Sequence, residues 1–498
     1  MPERSLLLIS ALLSLLASSA IRADVACPPI FGDRMVLQRE LPVPVWGTAE
    51  PGEAVAVEFA GQKQATTADK DGRWRVTLGS LSASAEPRTL TIKGANTLTF
   101  ADVLVGEVWF CSGQSNMEKP LGPRSGQKPT DGYEEELTRA DCPTLRLFQV
   151  PHYAKAKEGD GTMQWFASNG DALMQTKFSA AAYYFGRELQ RELGVPIGLI
   201  HSSFGGTRIE AWMPADTFAS DPALRDLPGQ PYQAWVKGVQ ATELYQSMVT
   251  PFVPFALRGF LWYQGEANAM NAEHLVYAAK MRALIGGWRA AWNRPNAPFY
   301  FAQLAPFAYS RQKNWEKQLT PAALPALWEA QLATLDVPHT GIIPTTDLAG
   351  NGKDIHPTNK RDVGLRFARL ALLETYGMGT ALEAPRFRKL LPSVFASTNL
   401  SLSFHNADGL RSRDGQPLRH FEIAGADRQF HPANVSIKGS KVIVSSPQVR
   451  KPVAVRFAWD ELAMPNLVNA AGLPAIPFRS DDWPLVLETP KEAAPAAK

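Results

Sequence analysis

A serine stands where a strongly apolar segment turns polar, in VGEVWFCSGQSNMEKP at residues 105–120. The first part of this segment suits a buried strand, and small polar residues surround Ser115 directly after it. A serine at a strand-to-helix turn can protrude from the edge of a sheet and act as a nucleophile if a base accepts its proton. The alternative is a helix N-cap, which is the more common use of such a serine.

Two other nucleophile arrangements are disfavoured. Position 117 is methionine, so the serine does not lie in a GxSxG elbow, and this argues against an α/β-hydrolase. Cys111 is the neighbouring rival, but it falls inside the apolar run, where thiols are usually inert. Ser115 therefore remains the candidate.

A base for this serine is offered by His356, in the segment GNGKDIHPTNKRDVG. Asp354 precedes it by two residues and could hold the imidazole in the tautomer that leaves Nε2 free to accept a proton. The alternatives are a surface-loop histidine and an Asp354 that caps the following helix.

Oxyanion donors are offered by two further segments. In FGGT the backbone N–H of Gly206 can approach a ligand closely, although adjacent glycines more often form a plain tight turn. In WYQGEAN the amides of Gln264 and Asn268 could donate, and Glu266 could orient His356 in place of Asp354. The alternative for WYQGEAN is a polar loop with a helix cap at Asn268.

Alternating elements are predicted to position these residues. From 101 to 386, short apolar runs alternate with longer helical patterns, which predicts an α/β fold with a parallel sheet covered by helices on both faces. Each polar motif directly follows a predicted strand, where parallel sheets place their ligands. Residues 27–100 and 387–484 read as β-rich flanking segments, sandwich-like at the N-terminus, and 485–498 as a disordered tail.

The N-terminal segment and the amino-acid composition restrict the remaining function classes and the cellular location. Residues 1–23 resemble a signal peptide that is removed on export, which predicts a periplasmic or secreted product with no membrane attachment. With 51 Lys and Arg against 48 Asp and Glu, the net charge is +3, and nucleic-acid binding has no support. Three cysteines and scattered histidines predict free thiols, with one pair conceivable, and neither a metal nor another cofactor.

Taken together, the order Ser, Gly, Asn, His resembles that of the SGNH hydrolase superfamily. Longer phrases are similar to the sialate O-acetylesterase family and related carbohydrate acetylesterases, over about residues 27–484. These phrases are MVLQRELPVPVWG, GEVWFCSGQSNM, FGGTRIEAWM, GFLWYQGEAN, DIHPTNKRDVGLRFA and NLVNAAGLPAIPFRSDDW. The fold implied is the flavodoxin-like SGNH sheet, flanked by β-sandwich or jelly-roll-like segments.

The resemblance implies a role for each matching residue. Ser115 matches the catalytic serine, His356 the general base and Asp354 the acid beside it. Gly206 and Asn268 match the oxyanion positions, together with the Ser115 backbone N–H.

Two departures from the SGNH pattern leave alternatives open. Many SGNH enzymes place the Asp three residues before the His rather than two, which keeps Glu266 as an alternative orienting carboxylate. The amide lies in QGEAN rather than in a GxND phrase, so Gln264 is a second candidate donor beside Asn268.

The expected activity is that of a serine esterase that removes acetyl groups from sugars. Arg208, Glu210 and Trp212 are predicted to line the sugar pocket, or to form a local salt bridge instead. Plant xylan, xyloglucan or their oligosaccharides are the favoured substrates, and O-acetylated sialic acid, at O-9, is the alternative. A non-catalytic carbohydrate-binding protein and a long-chain esterase are the rivals from other classes. The sequence does not predict the oligomeric state.

Overall fold

The structure is a computed structural model, and it describes residues 24–152, 163–229, 235–236, 238–312, 315, 317–350, 352–379, 383–391 and 398–489. The predicted leader at 1–23 and residues 490–498 of the predicted tail lie outside these residues, so both stay predictions. Residues 485–489 are described, and the prediction of disorder is wrong for them because Glu488–Thr489 pairs as a strand with Gln318–Leu319. Within the described ranges, no helix is both long and apolar enough to cross a membrane.

Seven strands form the centre of the molecule, in the order β14-β12-β11-β7-β10-β8-β9. Six of them run parallel, and β9 joins the edge antiparallel to β8. Their bounds are β7 (Thr97–Gly113), β8 (Cys142–Gln149), β9 (Trp165–Ser168), β10 (Ile197–Ser203), β11 (Gly259–Tyr263), β12 (Phe299–Ala302) and β14 (Thr340–Ile343). The predicted parallel sheet is therefore present, with one antiparallel strand that makes it mixed.

Helices cover both faces of this sheet. Their bounds are α1 (Ser115–Glu118), α2 (Tyr133–Thr138), α3 (Gly170–Thr176), α4 (Ala180–Leu193), α5 (Glu243–Met248), α6 (Glu266–Ala269), α7 (His274–Ala291), α8 (Ala323–Ala333) and α9 (Lys360–Glu374). Short 3-10 turns occupy Ile209–Trp212, Ala215–Ser220, Leu227–Gly229, Thr250–Phe252, Tyr309–Arg311 and Thr334–Asp336.

Two neighbouring residues of β7 show how the helices pack on the two faces of the sheet. Successive side chains of a strand point to opposite faces. Trp109 meets Phe185 of α4 with ring centroids 5.2 Å apart, and Phe110 meets Trp288 of α7 at 5.6 Å. All four rings are buried, so α4 and α7 bury the two faces of one strand.

The N-terminal strands join the central sheet through β7. Their bounds are β1 (Val36–Gln38), β2 (Val43–Thr48), β3 (Ala54–Phe59), β4 (Gln62–Thr67), β5 (Arg73–Leu78) and β6 (Ser84–Lys93). The front half of β7 pairs with β6 and, at Leu104–Gly106, with β1, while its rear half pairs with β10 and β11. One 17-residue strand thus belongs to both regions. The domain boundary near residue 100 and the separate sandwich stay predictions.

The C-terminal region is β-rich and has an apolar core of its own around Leu402, Val442 and Phe457. Its strands are β15 (Arg386–Leu391), β16 (Asn399–His405), β17 (Arg411–Ser412), β18 (Phe421–Ala424), β19 (Phe430–Pro432), β20 (Asn434–Lys438), β21 (Lys441–Ser445), β22 (Ala454–Phe457), β23 (Leu467–Val468), β24 (Phe478–Arg479) and β25 (Glu488–Thr489). The last strand, β25, pairs with β13 (Gln318–Leu319) of the main body. Glu461 accepts hydrogen bonds from Ser310 Oγ at 2.5 Å and Ser310 N–H at 2.8 Å, which ties this region to the loop after β12.

The three cysteines are free thiols in the structure. Cys111 is fully buried in β7, and burial raises the pKa of its thiol far above the ordinary value. The prediction that Cys111 lies inside the core is confirmed.

Candidate active site

Strand register brings three of the predicted motifs to one edge of the sheet. Gly113, at the end of β7, lies opposite Ser203 on one side and Tyr263 on the other. The chain segments that follow these strands therefore leave the sheet at the same level. Gly113 has φ 144°, and a Cβ there would lie 2.2 Å from the Tyr263 carbonyl oxygen, so only glycine fits at this exit.

An open cavity of about 530 Å³ lies above this edge and collects residues from distant parts of the chain. Ser115, Gly206 and His356 all line it, as predicted. The lining residues are Ser115, Glu118, Arg124, Gln127, His152, Phe204, Gly205, Gly206, Trp235, Val236, Phe307, Gln312, Ile355 and His356. A serine, an imidazole and a glycine loop with φ 74° at Gly206 thus share one solvent-accessible space.

The turn that carries Ser115 is packed closely. Ser115 is the first residue of α1, and Gln114 occupies the N-cap position without a side-chain cap. The N-cap alternative for Ser115 is therefore wrong. A Cβ on Gly205 would lie 3.1 Å from the Ser115 Cβ and 2.8 Å from Glu118 Oε2, so the glycine loop approaches the serine directly.

His356 lies beside Asp354. The His356 backbone N–H donates to Asp354 Oδ1 at 2.9 Å, and the ring Nδ1 lies 3.7 Å from the same oxygen. The cap of α9 is Asn359, whose side chain accepts the Asp362 N–H, so the helix-cap alternative for Asp354 is wrong. Burial and, next, the Lys360 ammonium lower the pKa of His356 to about 4, so the imidazole is neutral at pH 7.

Glu266 is fully buried under the cavity floor and meets Asn116 rather than the imidazole. Asn116 Nδ2 donates to Glu266 Oε1 at 2.5 Å and to the Ile355 carbonyl at 2.9 Å. Burial raises the pKa of Glu266 to about 7. The alternative that Glu266 orients His356 directly is therefore wrong, because the carboxylate reaches the His356 loop through Asn116.

The amides of Gln264 and Asn268 point into the protein. Gln264 Nε2 lies within hydrogen-bond distance of the Asn268 Oδ1 (2.7 Å) and the Thr207 carbonyl (3.2 Å). Asn268 Nδ2 donates to the carboxylates of Glu273 at 2.6 Å and Glu210 at 3.1 Å. The prediction that these side chains face an oxyanion is wrong, because their N–H groups satisfy buried acceptors. The cap of α6 is Gly265, so the helix-cap alternative for Asn268 is also wrong.

Arg208, Glu210 and Trp212 are buried below the cavity, and the prediction that they line a sugar pocket is wrong. Arg208 pairs with Glu210 and Glu273, and Lys280 Nζ donates to the same two carboxylates at 2.6 and 2.7 Å. Trp212 is completely buried. The alternative, a local salt bridge, is confirmed as a buried charge network, which costs less than isolated buried charges.

Glu118, Arg124 and His152 also line the cavity and are not among the predicted site residues. Glu118, one helical turn after Ser115, accepts from His152 at 2.7 Å and from Gly205 N–H at 2.9 Å, and Arg124 lies 3.1 Å away. Burial alone would raise the pKa of Glu118, but His152 and Arg124 outweigh it and lower it to about 2. His152 could have been predicted from the sequence, because it follows β8 as the other site residues follow their strands. In the structure its ring stacks on Phe204.

The outer wall of the cavity is aromatic. Trp235 is 47% exposed, and its ring packs on the buried Trp315 with centroids 5.1 Å apart. Phe307 also lines the cavity, and its backbone N–H donates to the Glu461 carbonyl of the C-terminal region at 3.0 Å. Within the described ranges, no group of three or more His, Cys, Asp or Glu side chains is placed to hold a metal ion.

Comparisons with known proteins identify the family of this chain. The family model described as carbohydrate esterase, sialic acid-specific acetylesterase matches residues 105–372. A solved carbohydrate acetylesterase from Xanthomonas citri is 36% identical, with a TM-score of 0.79, and the match covers 92% of this chain and all of that one.

Curated relatives give the same result over nearly the full length. The sialate O-acetylesterase of Pongo abelii is 28% identical, with 89% of this chain and 90% of that protein covered. The human sialate O-acetylesterase is 27% identical with the same coverage.

The fold, the cavity and these matches define a carboxylic ester hydrolase. Because the family model covers more than half of the sequence, the family itself is established. The chain belongs to the family of sialic acid-specific acetylesterases among the carbohydrate esterases.

Proposed function

We propose that this enzyme is an SGNH-type serine esterase that removes acetyl groups from O-acetylated carbohydrates. The observation that carries the proposal is the shared cavity of Ser115 and His356, two residues that lie far apart in the sequence. Family membership supports the acetyl-sugar substrate. The serine mechanism rests on the geometry of the site.

The reaction proceeds in two halves. His356 accepts the Ser115 hydroxyl proton as Oγ attacks the acetyl carbonyl carbon, and Asp354 stabilises the imidazolium that forms. The imidazolium then gives its proton to the sugar oxygen, the carbon–oxygen bond breaks and an acetyl-serine remains. Water then attacks the acetyl carbon while His356 accepts its proton. The bond to Ser115 Oγ breaks, His356 returns the proton to that oxygen, and acetate leaves.

The developing oxyanion is held by backbone donors. The Gly206 N–H is proposed as one donor and the Ser115 N–H as the other, since both residues line the cavity. Glu118 shapes this loop by accepting the Gly205 N–H. These backbone donors take the place of the side-chain amides of Gln264 and Asn268, whose N–H groups are bonded to buried acceptors.

The cavity favours an uncharged sugar. Its carboxylate, Glu118, is held ionised, and the nearby cation, Arg124, is already paired with it. A sialate carboxylate would meet the repulsion of Glu118 and would compete for Arg124. The exposed face of Trp235 instead offers an apolar platform of the kind that packs against sugar rings. Plant-type xylan or xyloglucan and their oligosaccharides are the substrates proposed first.

O-acetylated sialic acid is the second candidate, and the mammalian relatives named sialate O-acetylesterase favour it. The deciding experiment is acetate release from acetylated xylan, acetylated xyloglucan and 9-O-acetylated sialic acid at equal acetyl concentration. Highest kcat/KM on a neutral glycan supports the first candidate, and highest kcat/KM on the sialate overturns it. Faster release of long acyl groups than of acetate from nitrophenyl esters would contradict the acetylesterase assignment itself.

Asp354 is expected to matter more than Glu266 in this mechanism. Asp354→Asn should lower kcat by about tenfold to a hundredfold, because the amide stabilises the imidazolium less well. Glu266→Gln keeps an oxygen that accepts from Asn116 and should lower kcat less than about fivefold. Turnover of p-nitrophenyl acetate by both variants measures the difference, and a reversed order would reinstate Glu266 as the orienting group.

Trp235 is expected to act on sugar binding rather than on chemistry. Trp235→Ala should raise KM for an acetylated oligosaccharide about tenfold, while KM for p-nitrophenyl acetate stays within about twofold. Met174, an exposed residue of α3 outside the cavity lining, supplies the matched control as Met174→Ala. Equal KM changes on both substrates would remove Trp235 from sugar recognition.

Export to the periplasm or the exterior, with loss of residues 1–23, is part of the same proposal because an enzyme acting on polymeric glycans must meet them outside the cytoplasm. The catalytic domain is proposed to span 101–386, with the β-rich regions 27–100 and 387–484 beside it.

A further inference from the structure

A buried amide links the two halves of the site. Asn116 is 1% exposed and directly follows Ser115. Its Nδ2 donates to the carbonyl of Ile355, the residue before His356, at 2.9 Å, and its Oδ1 accepts from Lys360 Nζ at 2.6 Å. This side chain, which belongs to the serine turn, therefore contacts the histidine loop and the first residue of α9.

Lys360 fixes which way this amide faces. An ammonium group donates hydrogen bonds and accepts none. It therefore holds the Asn116 oxygen toward itself, which leaves Nδ2 directed at the Ile355 carbonyl and at Glu266. With the amide reversed, its oxygen would oppose the Ile355 carbonyl and the Glu266 carboxylate, and the link to the His356 loop would be lost.

The lysine occupies this position at an energetic cost. Lys360 is completely buried, and burial first, then the Lys119 ammonium, lower its pKa to about 7. A buried ammonium is disfavoured unless its surroundings compensate. An apolar side chain of similar length would fill the same space more cheaply, so the contact with Asn116 gives Lys360 a role beyond packing.

We propose that Lys360 is a positioning residue that holds the Ser115 turn against the His356 loop by fixing the Asn116 amide. The inference deepens the proposed function and rests on the roles assigned there to Ser115 and His356. It assigns Lys360, Asn116 and Glu266 to one hydrogen-bonded support beneath the reacting groups.

Lys360 also faces the imidazole as a charge. The charged groups around His356 are Lys360 on α9, Asp354 on its own loop, and Lys119 and Arg124 from the segment after α1. After burial, Lys360 is the strongest influence that lowers the pKa of His356, and Asp354 opposes it. Removing the cation therefore raises the pKa of His356, and the acidic limb of kcat/KM moves to higher pH.

The test is Lys360→Met, which keeps the length of the side chain and removes its donor and charge. We expect kcat on p-nitrophenyl acetate to fall about tenfold with KM within about threefold, and the acidic limb to move to higher pH. Arg361→Met is the matched control, since it removes an exposed cation from the next residue of α9, and it should leave the rate and the limb unchanged.

A second variant separates the donor from the charge and guards against misfolding. Lys360→Gln keeps an N–H for Asn116, so its kcat should exceed that of Lys360→Met while its acidic limb is displaced equally. A folded Lys360→Met enzyme with unchanged kcat and limb overturns the inference. A fall in kcat that follows only the loss of melting temperature, with the limb unmoved in both variants, also overturns it.

The rate at which an organophosphate modifies Ser115, followed by mass spectrometry, distinguishes failure of the two proposals. Slower modification in Lys360→Met than in the unaltered enzyme supports the inference. Equal rates overturn it and leave the proposed function standing. Modification of the unaltered enzyme elsewhere than at Ser115 overturns the proposed function and the inference together.

Discussion

Replacing Ser115 with alanine is expected to lower kcat on p-nitrophenyl acetate by a factor on the order of 10³ or more. The substitution removes the only protein atom that forms a bond to the acetyl carbon in the proposed mechanism. Substrate binding should change little, because Gly206, Trp235 and the other cavity walls remain in place. Stopped assays of acetate release and chromogenic ester turnover both measure the effect.

Ser112→Ala is the matched control for this variant. Ser112 lies three residues earlier in β7, fully buried, and its hydroxyl has no hydrogen-bond partner within the described residues. The same atom is removed from the same stretch of chain without touching the cavity, so activity should persist. A Ser115→Ala enzyme that keeps a tenth of the unaltered rate would refute the assignment of Ser115 as nucleophile.

Replacing His356 with glutamine is expected to lower kcat by a factor on the order of 10³, because no group then accepts the serine proton. The pH dependence should change as well. The unaltered enzyme needs neutral His356, whose pKa is about 4, so its kcat/KM should rise through that region and stay high above it. In His356→Gln this limb should vanish, and residual activity should instead increase with hydroxide concentration.

The second imidazole of the cavity provides the comparison. His152 is bound to Glu118 and stacked on Phe204, an arrangement that suits a wall rather than a base. His152→Gln should therefore leave kcat within about tenfold of the unaltered enzyme. Should His152→Gln abolish turnover while His356→Gln keeps it, the roles of the two histidines would have to be exchanged.

Hydrophobic patterns predicted the architecture well because burial on both faces dictates the apolar runs of parallel strands. The predicted alternation over 101–386 is present, for example in the strands at 142–149, 197–203 and 259–263 and in the helices α4, α7 and α9. The meeting of Ser115, Gly206 and His356 followed from one rule, that parallel strands deliver their following loops to one edge.

The amides and charges after those strands could not be predicted in the same way. The position of a residue directly after a strand predicts at which edge of the sheet the residue lies. It does not predict whether the side chain faces the cavity or the protein interior. For Asn268 that choice depends on the carboxylates of Glu210 and Glu273, to which its side chain donates. Arg208 pairs with the same two carboxylates. Such long-range pairing leaves no mark on the local pattern.

The unbroken course of β7 limits how this enzyme can be shortened. A fragment starting near residue 101 would lose β1 and β6, the neighbours of the strand's first half. The unpaired N–H and C=O groups would then form an exposed edge strand. Strands of other molecules could pair with this edge, and aggregation would follow. A smaller biocatalyst built on this scaffold must therefore keep strands β1 to β6, even though the proposed chemistry lies at the opposite end of β7.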